Sequence, residues 1–435
     1  MAYLEKLPWR EQLADPRFRT IFFLGVASGL PSSLVFATLS IWLREEGVSR
    51  TSIGLIGVAA TPYAINFLWA PFVDRLRLGF LHRLLGQRRS WILVCQVLLF
   101  PSILVMGIQE PGTATLLIGL SALAVSVLSA TQDVAIDAYR VEILEPREYG
   151  AGAAIAIYGW HTGAFITGAG ALYVAAFGGW TMAYLASAVI VWLVSIATLL
   201  AREPERPAVA FAPARNIVDW LRQAAIAPLT DFFARLGWLA ALILLLIIFF
   251  KFGDAMLGRM AGVFYVDLGF TKIEIANYTK TVGLFATLLG VGIGGWICIR
   301  IGIMRAMFLG ALMMMTTNLA FALLASSGKN FELLAAVVFF DNLTGGMATT
   351  AFVAYLSSLC NVAFTATQYA LLASLGNFAR IQLGSVSGWA VDKLGGDWTL
   401  FFVFVATMSI PAILMLLLLA RQMSNAQHRK KENQN

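Results

Sequence analysis

The chain has 435 residues, of which 59% are hydrophobic and only 13% charged, and its mean hydropathy is +0.77. Soluble domains average about 45–50% apolar and about 25% charged residues, so this composition excludes an ordinary soluble protein. The formal net charge of +7 would suggest nucleic acid in a soluble chain; here most basic residues lie in loops, as in membrane proteins, and no nucleic-acid partner is expected.

Residues 1–19 are polar and charged and lack the short apolar core of a cleaved signal, so the apolar stretch that follows reads as a retained first span. Runs of apolar residues then predict twelve membrane helices, at about 18–43, 52–72, 91–109, 113–138, 150–174, 181–201, 237–266, 274–299, 304–326, 331–357, 367–391 and 399–420. Placing the N-terminus inside puts Lys6, Arg10, Arg17, Arg19, Arg75, Arg77, Arg83, Arg88, Arg89, Arg202, Arg206, Arg215, Arg222 and Arg235 in the cytoplasm. Arg300, Arg305 and Arg429-Lys430-Lys431 go with them, whereas Arg44, Arg50, Lys272, Lys329 and Lys393 fall outside. Both termini are therefore expected in the cytoplasm.

The hydrophilic, proline-containing stretch 202–236 divides the chain into six-helix bundles over 1–201 and 237–420, followed by a tail over 421–435. The halves repeat. Gly47-Val48-Ser49-Arg50-Thr51 after the first span answers Gly269-Phe270-Thr271-Lys272-Ile273 after the seventh, and Gly178-Gly179-Trp180-Thr181 answers Gly395-Gly396-Asp397-Trp398-Thr399. A parallel repeat of six spans is similar to the major facilitator superfamily arrangement, with substrate bound between halves near the midplane. The expected fold is thus an all-α membrane protein of twelve helices in two pseudo-symmetric bundles.

Charge inside a span costs roughly 2.5–3.5 kcal/mol per residue even on lenient scales, so it persists where it faces protein or water. Asp133 and Asp137 share a face of the fourth span, Lys251 and Asp254 a face of the seventh, and Asp341 and Asn342 lie in the tenth. Lys280 and Arg380 fall in the eighth and eleventh. In the facilitator arrangement the first, fourth, seventh and tenth spans line the cavity. Structural alternatives stay open: Asp137 as the partner of Arg140, and Lys251 with Asp254 as a mutual pair. His161 beside Trp160 is equally a packed residue or a ligand contact. Gly163, Gly168, Gly170, Gly384 and Gly388 are expected to admit close helix packing, and Gly25, Gly29 and Pro31 to permit a bend. Phe67–Arg75 closes the second span, and its Asp74-Arg75 pair resembles the gating motif of many facilitator proteins.

Cys95, Cys298 and Cys360 form no disulfide framework or metal spacing, and His82, His161 and His428 make no HExxH, so no cofactor or metal is expected. No nucleophile–His–acid set converges at one depth, which argues against an enzyme.

Several longer runs resemble the AmpG-type muropeptide permeases: Gly25–Pro31, Phe67–Arg75, Ser129–Ala138, Tyr149–Ala153, Lys251–Asp254, Asn342–Met347 and Ala366–Leu372. Asp341 stands where some relatives carry glutamate, and extra C-terminal spans of some longer members have no counterpart here. The resemblance implies a Gram-negative inner-membrane, proton-driven importer of N-acetylglucosaminyl-1,6-anhydro-N-acetylmuramyl peptides, serving peptidoglycan recycling and β-lactamase induction. Its wider family includes acetyl-coenzyme A transporters, so another anionic metabolite is the alternative substrate. For such a ligand the expected contacts are Gly29, Gln132, Trp160, Lys251, Asn342 and Arg380, and the proton-carrier candidates are Asp133, Asp137, Asp254 and Asp341. Asp74 and Arg75 are the expected gate. The expected partners are the substrate, protons and the lipid bilayer, and the chain is expected to act as a monomer.

Overall fold

The computed structural model describes residues 15–48, 56–205, 216–271, 274–275 and 282–432, and these are helical with short connecting turns. Among the described residues, eight stretches are long and apolar enough to cross a membrane. One of them, Pro146–Leu200, is broken at Gly179 (φ 79°) into the predicted fifth and sixth spans. The predicted first, second and eleventh spans are helical too, but in shorter pieces.

We number the spans in chain order. α1 comprises Pro16–Ser33, a π-helical turn Leu34–Thr38 and Leu39–Glu45. Asp15 caps its start by accepting a hydrogen bond from the Arg17 N–H at 2.8 Å, with Pro16 at the first helical position. Pro31 removes a donor inside the helix, and the backbone widens into the π turn immediately after it. α2 is assembled from Gly57–Ala60, Pro62–Ile65, Asn66–Leu68 and Ala70–Arg75. α3 is Gln87–Gly107 and α4 Pro111–Ile143. α5 runs through Tyr149–Phe165 and a second π turn, Ile166–Gly170, to the Gly179 break, and α6 continues to Leu200.

In the second half, α7 is Leu239–Phe250 and Phe252–Asp267, interrupted at Lys251. α8 is Gly283–Ile301, α9 Ile303–Ser327 and α10 Phe331–Leu359. α11 joins Thr365–Ser385 to Ser387–Lys393, and α12 joins Trp398–Thr407 to Ile410–Glu432. The stretch read as a hydrophilic linker contains a helix of its own, Ile217–Leu236.

Two compact units result. The first holds the chain to Pro146, Ile155–Asp231 and Cys360–Ser374; the second holds Arg147–Ala154, Phe232–Leu359 and the chain from Leu375. Each half carries the same clasp. The Trp180 indole N–H donates to Glu45 at 2.9 Å in the first, and Trp398 donates to Asp267 at 3.0 Å in the second. The adjoining turns use glycine at positive φ, Gly47 (77°) and Gly269 (83°), where a side chain would be strained. These contacts give the sequence repeat its physical content: each closes the end of the leading helix onto the turn that opens the last helix of its half.

Packing in the first unit relies on backbone approach. A Cβ on Gly29 would lie 2.1 Å from the Trp160 carbonyl oxygen, and one on Gly25 2.5 Å from that of Ala156. Gly159 and Gly163 answer from α5, where an added Cβ would lie 2.2 Å from the carbonyl oxygens of Phe22 and Val26. The two π turns are pinned together, since Thr38 donates to the Thr167 carbonyl (2.9 Å) and Thr167 to the Leu30 carbonyl (2.7 Å). Of the glycines expected at such seams, Gly163 is there, whereas Gly170 faces open space and Gly388 approaches nothing closer than Met260 at 3.9 Å. Glycine content alone does not say which face of a helix meets a neighbour.

Candidate functional site

α4 carries the polar face of the first unit. Asp133 receives a hydrogen bond from Ser28 of α1, and Gln132 donates to the Ala27 carbonyl at 2.9 Å, so Gln132 is wholly buried against α1. One turn on, Asp137 accepts from Arg140 at 3.0 Å, and the Arg140 guanidinium lies 5.2 Å from the centre of the Tyr369 ring. The ion pair weighed as an alternative for Asp137 is therefore formed. Trp160 is 40% exposed, with the His161 ring edge-on at 5.1 Å. His161 is tied to the Ile157 carbonyl of its own helix. Gly29 is taken up by the α1–α5 seam and offers no surface to a ligand.

At the end of this unit a buried charge cluster forms. Arg88 at the start of α3 is fully buried and pairs with Asp74 at 2.7 Å and with Glu142 of α4. The Asp74 carboxylate also accepts from the backbone N–H groups of Ala366 (3.2 Å) and Thr367 (2.8 Å) and from the Thr367 hydroxyl (2.7 Å). It thus sits on the N-terminus of α11, where unsatisfied N–H groups and the helix dipole favour an anion. The guanidinium that completes this arrangement comes from Arg88, which sequence reasoning counted only as a loop cation. Glu203, beyond the spans, accepts from the Arg88 and Arg89 N–H groups at 2.8 and 3.1 Å. Burial pushes its carboxyl up from the ordinary value, and those two N–H groups pull it partly back.

The run Ala366-Thr367-Gln368-Tyr369 now has a structural reason. Thr367 meets Asp74 and Tyr369 meets Arg140, while Gln368 donates to the Pro228 carbonyl and to Asp231, both at 2.9 Å. Asn361 adds a hydrogen bond to Asp231 at 2.9 Å. Three successive side chains fasten one helix start to three different elements.

In the second unit the break in α7 centres on Lys251. Its Nζ lies 3.9 Å from Asp254 and 5.0 Å from the centre of the Phe352 ring, on which Phe250 stacks. The Lys251 side chain is 15% exposed and that of Asp254 44%, so the pair is loose and open on the Asp254 side. Asp341 of α10 accepts from Thr317 of α9 at 3.3 Å and faces Asp254 electrostatically. Arg380 is exposed and faces Lys251. Asn342 donates to the Val338 carbonyl (2.9 Å) and accepts from Thr287 (3.2 Å), which commits much of its amide to the α8–α10 contact. Lys280 lies outside the described residues. Thr317, Arg88, Glu142, Thr367 and Tyr369 carry no signal of these contacts in the sequence, except that the last two fall inside the run Ala366–Leu372. Among the described residues no group of three or more His, Cys, Asp or Glu side chains could hold a metal ion.

Comparison with known proteins locates this architecture. The family model described as Major Facilitator Superfamily matches residues 21–382. An Anhydromuropeptide permease of Escherichia coli (strain K12) is 38% identical over 405 residues, covering 93% of this chain and 79% of that protein. The crystal structure of the human organic anion transporter MFSD10 superposes with a TM-score of 0.67 at 15% identity, covering 92% of this chain and 99% of that one. The E. coli fucose:proton symporter FucP gives the same TM-score and identity, with 92% and 97% covered. At that identity both likenesses speak for the fold alone.

Proposed function

Because the chain belongs to the Major Facilitator Superfamily, and is a transporter rather than an enzyme, we propose that it imports anhydromuropeptides in symport with protons by alternating access. The observation that carries this reading is the near full-length relation to the Anhydromuropeptide permease. The residues suit such a cargo: a disaccharide peptide brings carboxylates for Lys251 and Arg380 and a sugar face for the exposed Trp160. Asp133, Asp137, Asp254 and Asp341 supply carboxylates at membrane depth, where a group that alternates between wet and dry surroundings can load and release a proton.

The basic residues of the loops support an inner-membrane location with both termini in the cytoplasm, and a monomer is the working unit. Release of the α11 start from Asp74 and Arg88 is the proposed gating step, with Arg75 beside it. Uptake of labelled anhydromuropeptide into proteoliposomes tests the reading. The expected result is uptake accelerated by an inward proton gradient, with the acceleration abolished by a protonophore. No uptake in either condition contradicts the substrate, and uptake indifferent to the gradient contradicts the coupling.

A further inference from the structure

We propose that a water-bridged proton path runs inside the first unit along one face of α4, from Ser126 through Ser129 to Asp133 and Asp137, with the Tyr63 hydroxyl of α2 beside it. This inference rests on the proton-coupled reading above and deepens it.

The four residues recur every three or four positions, so they share one face of the helix and span about 16 Å of its length at about 1.5 Å per residue. A serine inside a helix commonly donates back to the carbonyl one turn earlier, as Ser187 does to Ala183 at 2.8 Å. Ser126 and Ser129 do not. Both are fully buried; the Ser126 hydroxyl has no hydrogen-bond partner among the described residues, and that of Ser129 reaches no carbonyl of its own helix and faces the Tyr63 hydroxyl. Gln132 Oε1 and Asp133 Oδ1 likewise have no hydrogen-bond partner among the described residues. Three buried, unpartnered oxygens within two turns, on Ser126, Gln132 and Asp133, cost about 1–3 kcal/mol each if dry. Water bridging them satisfies all three, and a polar site with several partners is where ordered water is held.

The groups that face this path come from every neighbouring element: Ser28 on α1, Tyr63 on α2, Cys95 on α3, and Asp137 and then Arg140 on α4 itself. The Asp137 side chain is 36% exposed, so the path opens at that end. A proton passed along the waters breaks one O–H bond as the next forms, rests on the Asp133 carboxylate, and moves one turn on to Asp137. Neutralising Asp137 removes the partner of Arg140 and leaves that guanidinium with Tyr369. The path thereby reaches the same start of α11 that Asp74 holds. Substrate contacts on α7 and α10 are not needed for the proton to move.

The test uses the full chain in liposomes loaded with a pH dye, comparing wild type with Ser126→Ala/Ser129→Ala and with Tyr63→Phe. Exchange of labelled for unlabelled anhydromuropeptide, which moves no net proton, is expected to stay within about twofold of wild type, while substrate-driven proton influx falls about tenfold in the double variant and less in Tyr63→Phe. Undiminished influx in both variants overturns the proposal. Radiolytic footprinting reads the water itself. Cys95, which faces Asp133, and Cys298 are similarly buried, 2% and 5% exposed. Faster oxygen labelling of Cys95 upholds the hydrated path, and equal labelling overturns it. Wild type that shows neither exchange nor influx defeats the transport reading, and the footprint still decides the path.

Discussion

Replacing Asp74 by asparagine perturbs the charge cluster at its centre. The carboxylate takes one guanidinium N–H from Arg88 and three hydrogen bonds from Ala366 and Thr367. An asparagine keeps one acceptor oxygen and turns an NH2 group toward either the cation or the helix N-terminus. Removing one member of a buried ion pair costs about 3–5 kcal/mol. Arg88 keeps Glu142, so the lower end, about 3 kcal/mol, is expected, which is about a hundredfold in the equilibrium holding Cys360–Ser374 to the first unit. Cys360 at the edge of that segment is partly exposed, whereas Cys95 and Cys298 are buried. Maleimide labelling of the reconstituted chain therefore reads the segment directly. Labelling is expected to accelerate up to about a hundredfold in Asp74→Asn, and about tenfold in Thr367→Val, which loses one hydrogen bond to a charged acceptor worth about 1.5 kcal/mol. The double variant should add little to Asp74→Asn, because both remove the same interaction. A folded Asp74→Asn protein that labels at the wild-type rate refutes the reasoning.

Gly29→Ala places a methyl 2.1 Å from the Trp160 carbonyl oxygen, so thermal unfolding in detergent should show destabilisation of at least about 1–3 kcal/mol, whereas Gly170→Ala, in open space, should leave the midpoint unchanged. Lys251→Ala should fold, since the pair it breaks is long at 3.9 Å and open on the Asp254 side, yet uptake should fall; intact uptake in both Lys251→Ala and Asp254→Asn would make the pair dispensable. Glu203 has a folded-state value raised by burial, so its stabilising contribution is complete below the ordinary carboxyl value and is lost as pH rises through the folded one. The unfolding midpoint of wild type relative to Glu203→Gln should accordingly decline across that window, and a constant difference would contradict the shift. Trp398→Phe and Trp180→Phe each remove one indole donor to an acidic partner and should lower the midpoint by similar small amounts, reflecting about 0.5–3 kcal/mol per bond.

Much of this architecture is legible in the sequence, for identifiable reasons. Length and hydropathy predict spans because a bilayer demands long apolar helices, and the repeat around Trp180 and Trp398 is visible because both halves close with the same indole–carboxylate contact. α1, α2 and α11 are read as continuous runs, since hydropathy does not register the π turn after Pro31 or the break at Val386. Charge inside a span points to Asp133, Asp137, Lys251, Asp254 and Asp341. It cannot point to Arg88, whose neighbours in sequence make it look like one loop cation among several, because its partners Asp74 and Glu142 come from other helices. Nor does a serine in an apolar helix announce whether it back-bonds or faces an unfilled polar seam. Ser126 and Ser129 differ from Ser187 only in the structure.

The coupling of cargo to protons is tested most directly without any imposed gradient. Anhydromuropeptide is added outside proteoliposomes of the wild-type chain held at equal pH and zero membrane potential, and the interior pH is followed. The account predicts acidification of the interior that scales with substrate uptake and disappears with protonophore. Uptake of the same substrate with a flat interior pH would contradict it.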